Sequence, residues 1–114
     1  MNIHYLEVVT TDVDAMCALY TTLHGAAFGD AVPTLGGART ATLSGGTIIG
    51  VRGQMRPTEE PVIRSYARVD DIQAAVDEAA ALGAQVAVPP MELPGHGMCA
   101  IVLRGGIEVG FWQV

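Results

Sequence analysis

The stretch LRGGIEVGFWQV, residues 103–114, decides the fold because an earlier stretch repeats its pattern. Residues 43–51, LSGGTIIGV, also run from a leucine through two glycines into a hydrophobic strand with a glycine near its middle. Paired glycines are typical of a tight turn, whereas a glycine inside a strand is normally unfavourable. Because Gly50 and Gly110 stand at the same place in both copies, the pattern indicates a duplicated unit.

The first copy predicts the element order βαβββ. Residues 3–10 are rich in aliphatic and aromatic side chains and read as a strand. Asp12 can cap a helix whose apolar residues follow helical spacing to about His24. Three further strands are predicted, the last two joined by the glycine turn: 26–32, 39–43 and 47–51.

The second copy predicts the same order after a polar linker over 52–61. Residues 62–69 read as a strand, and a helix follows Asp70 or Asp71 and stops at Gly83. A strand over 85–88 closes at two prolines, a loop covers 92–97, and the last two strands are predicted at 98–103 and 107–113.

The two copies superpose element by element. An offset of 59 places Asp12 on Asp71, and an offset of 60 places Gly50 on Gly110. A single inserted loop residue accounts for the change of offset. Helix cap, helix phase and turn therefore repeat together, which favours two structural repeats.

Length and composition predict one compact domain. The 114 residues suit a single domain, 1–114, with repeats over about 1–56 and 57–114. No run of apolar residues approaches a membrane span, and the first residues lack the basic region and apolar core of a signal peptide. We therefore expect a cytoplasmic protein with no membrane partner.

Charge and cysteine content exclude further classes. Six Lys and Arg against twelve Asp and Glu give a net charge of -6, and no basic patch is present to neutralise phosphates. We expect no nucleic-acid partner, and a neutral or cationic ligand is compatible with this charge. Cys17 and Cys99 stand alone in the sequence, which favours two buried thiols over a zinc site or a disulfide.

Two βαβββ units in this length resemble the glyoxalase/bleomycin resistance protein/dioxygenase superfamily, also called the vicinal oxygen chelate fold. Four stretches carry the resemblance: YLEVV at 5–9 running into Asp12, YARVDD at 66–71, PPMELPGHG at 89–97 and GFWQ at 110–113. The resemblance implies an α+β fold. In it, two βαβββ repeats form an incompletely closed eight-stranded barrel around a cavity, with the helices outside.

The resemblance also implies where a metal would bind. The metal enzymes of the superfamily take a His or Gln from the first strand and a Glu from the last strand of each unit. In this chain those four ligand positions, which we call the seats, fall at Tyr5, Gly50, Arg64 and Gly110. Tyrosine is a poor ligand unless ionised, arginine has no usable lone pair and glycine has no side chain. We therefore predict no metal and no cofactor.

A shifted register leaves a different ligand set open. A β-bulge could turn His4 toward the cavity, where Glu7 and the loop residue His96 would complete a metal site. The alternative for His4 is the helix-facing side of the sheet or its frayed end. For His96 the alternative is an ordinary loop position.

Strand alternation predicts the side chains that line the cavity. Aromatic walls with a few charges are the usual composition of a small-molecule pocket. The alternative is that the charged groups pair with one another or reach solvent while the aromatics fill the barrel. Beside Val9, Ile48 and Arg52, the predicted ligand-binding residues are Tyr5, Glu7, Gly50, Arg64, Tyr66, Arg68, Glu108, Gly110 and Trp112.

Four functions follow as hypotheses. The first is a metal-free protein that sequesters an aromatic or cationic antibiotic or metabolite, as antibiotic-resistance members of the superfamily do. The second is a divalent-metal-dependent lyase, isomerase or dioxygenase. The third is a metal-independent enzyme in which Glu7 or Tyr66 moves a proton, although no catalytic residue is assigned. The fourth is a structural or accessory subunit, and the apolar content favours a homodimer.

Overall fold

The computed structural model describes all residues from Met1 to Val114 and contains eight strands and two α-helices. The α+β class and the βαβββ order of both repeats are confirmed. Two compact units are present, which we call the first half (Tyr5–Ile63) and the second half (Arg64–Val114 together with Met1–His4).

The first half carries five of the elements and one short 3-10 helix. They are β1 (Ile3–Val9, whose first two residues belong to the second half), α1 (Val13–His24), β2 (Ala31–Val32), the 3-10 helix Pro33–Leu35, β3 (Ala38–Thr42) and β4 (Ile48–Arg52). The strands lie in the order β2-β3-β4-β1, and β1 runs parallel to β4 with Glu7 opposite Gly50.

Capping and packing explain α1. The Asp12 carboxylate accepts a hydrogen bond from the Ala15 N–H at 3.1 Å and satisfies one of the unpaired donors of the first turn. Gly25 ends the helix in the left-handed conformation at φ 68°, which glycine adopts without strain. Between these ends, the buried Cys17 packs in the apolar core of this half, beside Val8 and Ile49.

The second half repeats this arrangement. It contains β5 (Val62–Arg68, whose first two residues belong to the first half), α2 (Ile72–Ala81), β6 (Gln85–Leu93), β7 (Gly97–Arg104) and β8 (Ile107–Gln113). The strand order is β5-β8-β7-β6, and β5 runs parallel to β8 with Tyr66 opposite Gly110.

The cap and core of α2 follow those of α1. The Asp71 carboxylate accepts from the Ala74 N–H at 3.0 Å. Ile72 and Val76 are the buried residues of the helix, and they pack in one cluster with Ala100 and Val102 of β7. Neither α-helix is long and apolar enough to cross a membrane.

Two strand boundaries differ from the sequence prediction. Residues 26–32 form only the two-residue strand β2, so most of this segment is coil. Strand β6 continues through Pro89 and Pro90 to Leu93, well beyond the predicted end at residue 88. Proline is tolerated there because β6 is an edge strand and its register to β7 shifts twice, between Val86 and Met91.

Candidate ligand-binding faces

The predicted ligand-binding residues fall on one sheet face in each half. Residues directly opposite each other on paired strands point to the same side of a sheet. The first-half face carries Tyr5, Glu7, Gly50 and Arg52, and the second-half face carries Arg64, Tyr66, Arg68, Glu108, Gly110 and Trp112.

In the first half, Tyr5 occupies the space that a side chain at Gly50 would need. A Cβ atom placed on Gly50 would collide with the Tyr5 hydroxyl and would lie 2.5 Å from Tyr5 Cζ. Tyr5 is 4% exposed, and burial, reinforced by the Glu7 carboxylate and opposed by Arg52, raises the pKa of its phenol. The phenol therefore stays protonated and is not a phenolate ligand.

Arg52 is the charged centre of the first-half face. Its Nε donates to Glu7 Oε2 at 2.9 Å, and its two terminal nitrogens donate to the two carboxylate oxygens of Glu59 at 2.9 and 2.8 Å. The Arg52 side chain is 5% exposed. The bidentate bond to Glu59, followed by the bond to Glu7, outweighs burial and raises the pKa of Arg52.

The sequence did not indicate Glu59 as a partner of Arg52. Glu59 lies in the polar linker 52–61, where an acidic residue normally faces solvent. In the structure, the Met55 N–H donates to Glu59 Oε1 at 2.8 Å, so the linker turns back on itself and presents the carboxylate to the sheet. Only the folded conformation of the linker reveals the role of Glu59.

In the second half, the ring of Tyr66 covers Gly110. A Cβ atom on Gly110 would stand 2.7 Å from Tyr66 Cδ2 and 2.6 Å from the carbonyl oxygen of Ser65. A glutamate at this position would therefore displace the tyrosine and its backbone. Gly110 is thus required by the packing of Tyr66.

Arg64 is held in an ion pair. The parallel register that sets Tyr66 opposite Gly110 brings Arg64 to Glu108, and Arg64 Nε lies 2.6 Å from Glu108 Oε2. The two side chains are 18% and 36% exposed, respectively. Arg64 and Glu108 therefore follow the predicted alternative, in which charged groups of the face pair with one another.

An aromatic cluster completes the second-half face. The ring of Trp112 meets Tyr66 edge-on at 5.7 Å and His4 at 5.3 Å, and its Nε1 donates to the His96 carbonyl oxygen at 2.9 Å. Burial and the nearby Arg68 guanidinium lower the pKa of His4. Trp112 is 3% exposed, so its ring is mainly a packing element, while Arg68 is exposed.

These contacts test whether the residues could hold a metal. No group of three or more His, Cys, Asp or Glu side chains is placed to bind one. In the alternative ligand set, Glu7 is engaged by Arg52, and the ring of His4 packs against Trp112. The residues at the four family seats do not fit a divalent metal ion.

The chain is similar in sequence to two mycobacterial proteins. It is 33% identical over 116 residues to the "Putative glyoxylase CFP32" of Mycobacterium bovis and, with the same values, to that of Mycobacterium tuberculosis. The alignment covers 96% of this chain and 44% of each relative, so the chain spans less than half the length of the curated relatives it matches. No family model matches the chain.

Solved structures share the fold at low sequence identity. A hypothetical protein from Bacillus halodurans superposes with a TM-score of 0.76 at 14% identity, covering 99% of this chain and 94% of that one. The methylmalonyl-CoA epimerase of Mycobacterium tuberculosis gives 0.73 at 14% identity, covering 98% and 87%. The Streptomyces coelicolor methylmalonyl-CoA epimerase in complex with 2-nitronate-propionyl-CoA gives 0.75 at 16% identity, covering 99% and 94%.

Sequence similarity and fold agree with the duplicated βαβββ pattern. The similarity to the mycobacterial proteins extends over nearly the whole chain, and the shared fold includes both repeats. The resemblance to the glyoxalase/bleomycin resistance, or vicinal oxygen chelate, superfamily is therefore confirmed by relatives named glyoxylase and by the shared fold.

Proposed function

We propose that this chain is a small-molecule-binding protein of the glyoxalase/bleomycin resistance type that holds its ligand without a metal. One observation carries the proposal: side chains that cannot ligate a cation are built into the four metal seats by packing and pairing. Tyr5 is kept protonated against Gly50, Arg64 is paired with Glu108, and Gly110 lies under a tyrosine ring.

We propose an aromatic or cationic antibiotic or metabolite as the ligand. On the second-half face, the Glu108 side chain is 36% exposed, against 18% for its partner Arg64. A cationic group of the ligand would compete with Arg64 for this carboxylate. Tyr66 and Trp112, which are 6% and 3% exposed, pack as a buried aromatic floor on the same face. The net charge of -6 would favour the approach of a cation.

A thermal-shift screen tests this function. The protein is treated with a chelator, dialysed, and titrated with aromatic cations, neutral aromatic compounds and aromatic acids. A specific ligand raises the melting temperature in a concentration-dependent way, since it binds the folded state alone. We expect the same shift with and without the chelator.

A matched pair of variants locates the binding. Glu108→Gln removes the proposed counter-ion, whereas Glu78→Gln removes an exposed carboxylate on α2. We expect Glu108→Gln to abolish the shift caused by cations and Glu78→Gln to preserve it. A screen without a saturable shift, or a shift that needs an added divalent metal, would end the proposal.

The second candidate is a divalent-metal-dependent lyase, isomerase or dioxygenase. The word glyoxylase in the name of the mycobacterial relatives favours it. Elemental analysis of protein purified from metal-supplemented medium distinguishes the two functions. One bound metal per chain that survives dialysis would support the enzyme, and its absence would support the metal-free protein.

We also propose that the chain forms a homodimer. Leu82 and Ile107 in the second half are 79% and 65% exposed, and a second copy would remove such apolar surface from water. Size-exclusion chromatography with light scattering measures the mass directly. A mass of one chain at all concentrations would refute the dimer.

A further inference from the structure

A groove lies on the helix side of the first half, at the end of α1. Its volume is about 540 Å³, within the range of small-molecule pockets. Leu6, Leu43 and Ile49 line the groove from the sheet and from the turn that follows β3. The last turn of α1 contributes Tyr20 and His24, whose rings lie 6.2 Å apart at an angle of 32°.

The second half shows why this groove is open. The repeat offsets of 59 and 60 place His24 on Gly83 and Ser44 on Arg104. In the second half, the Arg104 guanidinium lies over Gly83. A Cβ atom on Gly83 would be 3.2 Å from Arg104 Cζ. The same corner of the first half has the short side chain of Ser44, which lines the groove instead of covering it.

A second difference between the repeats lies beside the groove, in the last turn of the helix and the segment that follows it. Tyr20 corresponds to Ala79, which packs directly against the core of the second half together with Ala84. Strand β6 begins at Gln85, soon after α2, whereas the first half has coil from Gly25 to Asp30 before the two-residue β2. The first half therefore lacks the regular strand that follows the helix in its counterpart.

The lining determines which ligand chemistry the groove would accept. It includes no Asp, Glu, Lys or Arg side chain. A charged ligand would lose hydration there without gaining a counter-ion, which is costly. The aliphatic floor and the two rings suit an aromatic ring system, and the hydroxyls of Thr42 and Ser44 can exchange hydrogen bonds with one polar group.

We propose that this groove, which we call the α1 groove, is a second binding site that takes a neutral aromatic or heteroaromatic molecule. It lies on the opposite side of the sheet from the first-half face. On β4, Ile49 lines the groove while its neighbour Gly50 belongs to that face, and successive strand residues point to opposite sides. The site is independent of the proposed metal-free function.

Residue-resolved NMR with indole as the probe tests the α1 groove. Indole is neutral and bicyclic, and indole-3-acetate has the same ring system with a negatively charged carboxylate. In ¹H–¹⁵N spectra we expect indole to produce saturable shifts at the amides of Gly25, Leu43 and Ser44. Indole-3-acetate should bind at least about tenfold more weakly, as a penalty of about 1.4 kcal/mol would give.

A reciprocal pair of variants provides the control. Ser44→Arg introduces the side chain that closes the corresponding corner of the second half, and we expect it to weaken indole binding at least about tenfold. Ser44 is exposed in a turn held by backbone bonds between Leu43 and Thr47 and between Gly46 and Leu43, which the substitution leaves in place. Arg104→Ser changes only the second half and should leave binding in the α1 groove unchanged.

The outcomes are distinct. If Ser44→Arg loses the native spectrum, Ser44→Gln fills the same corner with a shorter neutral side chain and should also weaken binding. Unchanged affinity in a folded Ser44 variant would overturn the proposal. Indole shifts confined to residues 64–114 would also overturn it, while supporting a ligand site on the second-half face.

Discussion

The ring of Tyr66 rests on the backbone of Gly110. A single methyl group at Gly110 would approach Tyr66 Cδ2 to 2.7 Å, and the parallel register of β5 and β8 sets the two residues opposite each other. Tyr5 and Gly50 make the corresponding contact in the first half. The two mid-strand glycines are thus explained by tyrosine packing. In this chain, neither position has room for the glutamate that metal enzymes of the superfamily carry there.

Gly110→Ala should destabilise the protein. The added Cβ would lie 2.6 Å from the Ser65 carbonyl oxygen, which belongs to the backbone and cannot rotate away. We expect a loss of about 1–3 kcal/mol in the free energy of unfolding, measured by urea denaturation. Gly45→Ala is the control, since a Cβ there meets no atom within 4 Å, and equal losses in the two variants would contradict this account.

Gly50→Ala should also destabilise the protein, but its cost should depend on Tyr5. The three atoms nearest to the added Cβ all belong to the far end of the Tyr5 side chain. In the Tyr5→Leu background, we expect Gly50→Ala to cost at least about 1 kcal/mol less than in the wild type, because the colliding ring is absent. A double-mutant cycle by urea denaturation measures this coupling, and strict additivity would show that the contact is not the cause.

Arg52→Met should cost far more than the loss of a surface charge. It would leave the Glu7 and Glu59 carboxylates, which are 15% and 11% exposed, without their cation. We expect a loss of about 3–5 kcal/mol in the free energy of unfolding. Arg39→Gln removes an arginine paired to Asp14, whose side chain is 92% exposed, and should cost about 0–1 kcal/mol. Similar losses in both variants would disprove a special role for Arg52.

His4 should make stability depend on pH. Its pKa is lowered in the folded state, so between that value and the ordinary value of 6.5 the unfolded chain binds more protons. The stability that neutral His4 contributes to the folded state is complete above pH 6.5 and is lost as the pH falls through the folded pKa. Its slope cannot exceed about 1.4 kcal/mol per pH unit for one group. Urea denaturation of wild type and His4→Phe over this range measures it, and parallel pH profiles would contradict the prediction.

Both cysteines should react slowly in the native protein. Cys17 and Cys99 are buried thiols that form no disulfide, as the sequence predicted, and burial raises the pKa of Cys17 despite the nearby Arg39. Because the thiolate is the reactive form, we expect a thiol-specific chromogenic reagent to titrate two groups rapidly only after denaturation. Rapid reaction of one thiol in the native state would show that its side chain becomes accessible.

The local pattern of the chain predicted most of the fold. Helix phase, the caps at Asp12 and Asp71, and the glycine turns depend on neighbouring residues, and all of them appear at the expected positions. Strand ends were less predictable. Strand β6 runs through Pro89 and Pro90 because an edge strand can lose ladder bonds, and its position at the edge is a property of the assembled sheet.

The sequence by itself determined the duplication, and the family resemblance that the sequence carries implied the four seats at Tyr5, Gly50, Arg64 and Gly110. Tertiary structure alone decided what fills them: the Tyr5 and Tyr66 rings over glycine and the pairing of Arg64 with Glu108. The same holds for the bond from Arg52 to Glu59. Periodicity and capping act between residues close in the chain. These contacts instead depend on strand register and on how the linker folds back, neither of which leaves a local trace in the sequence.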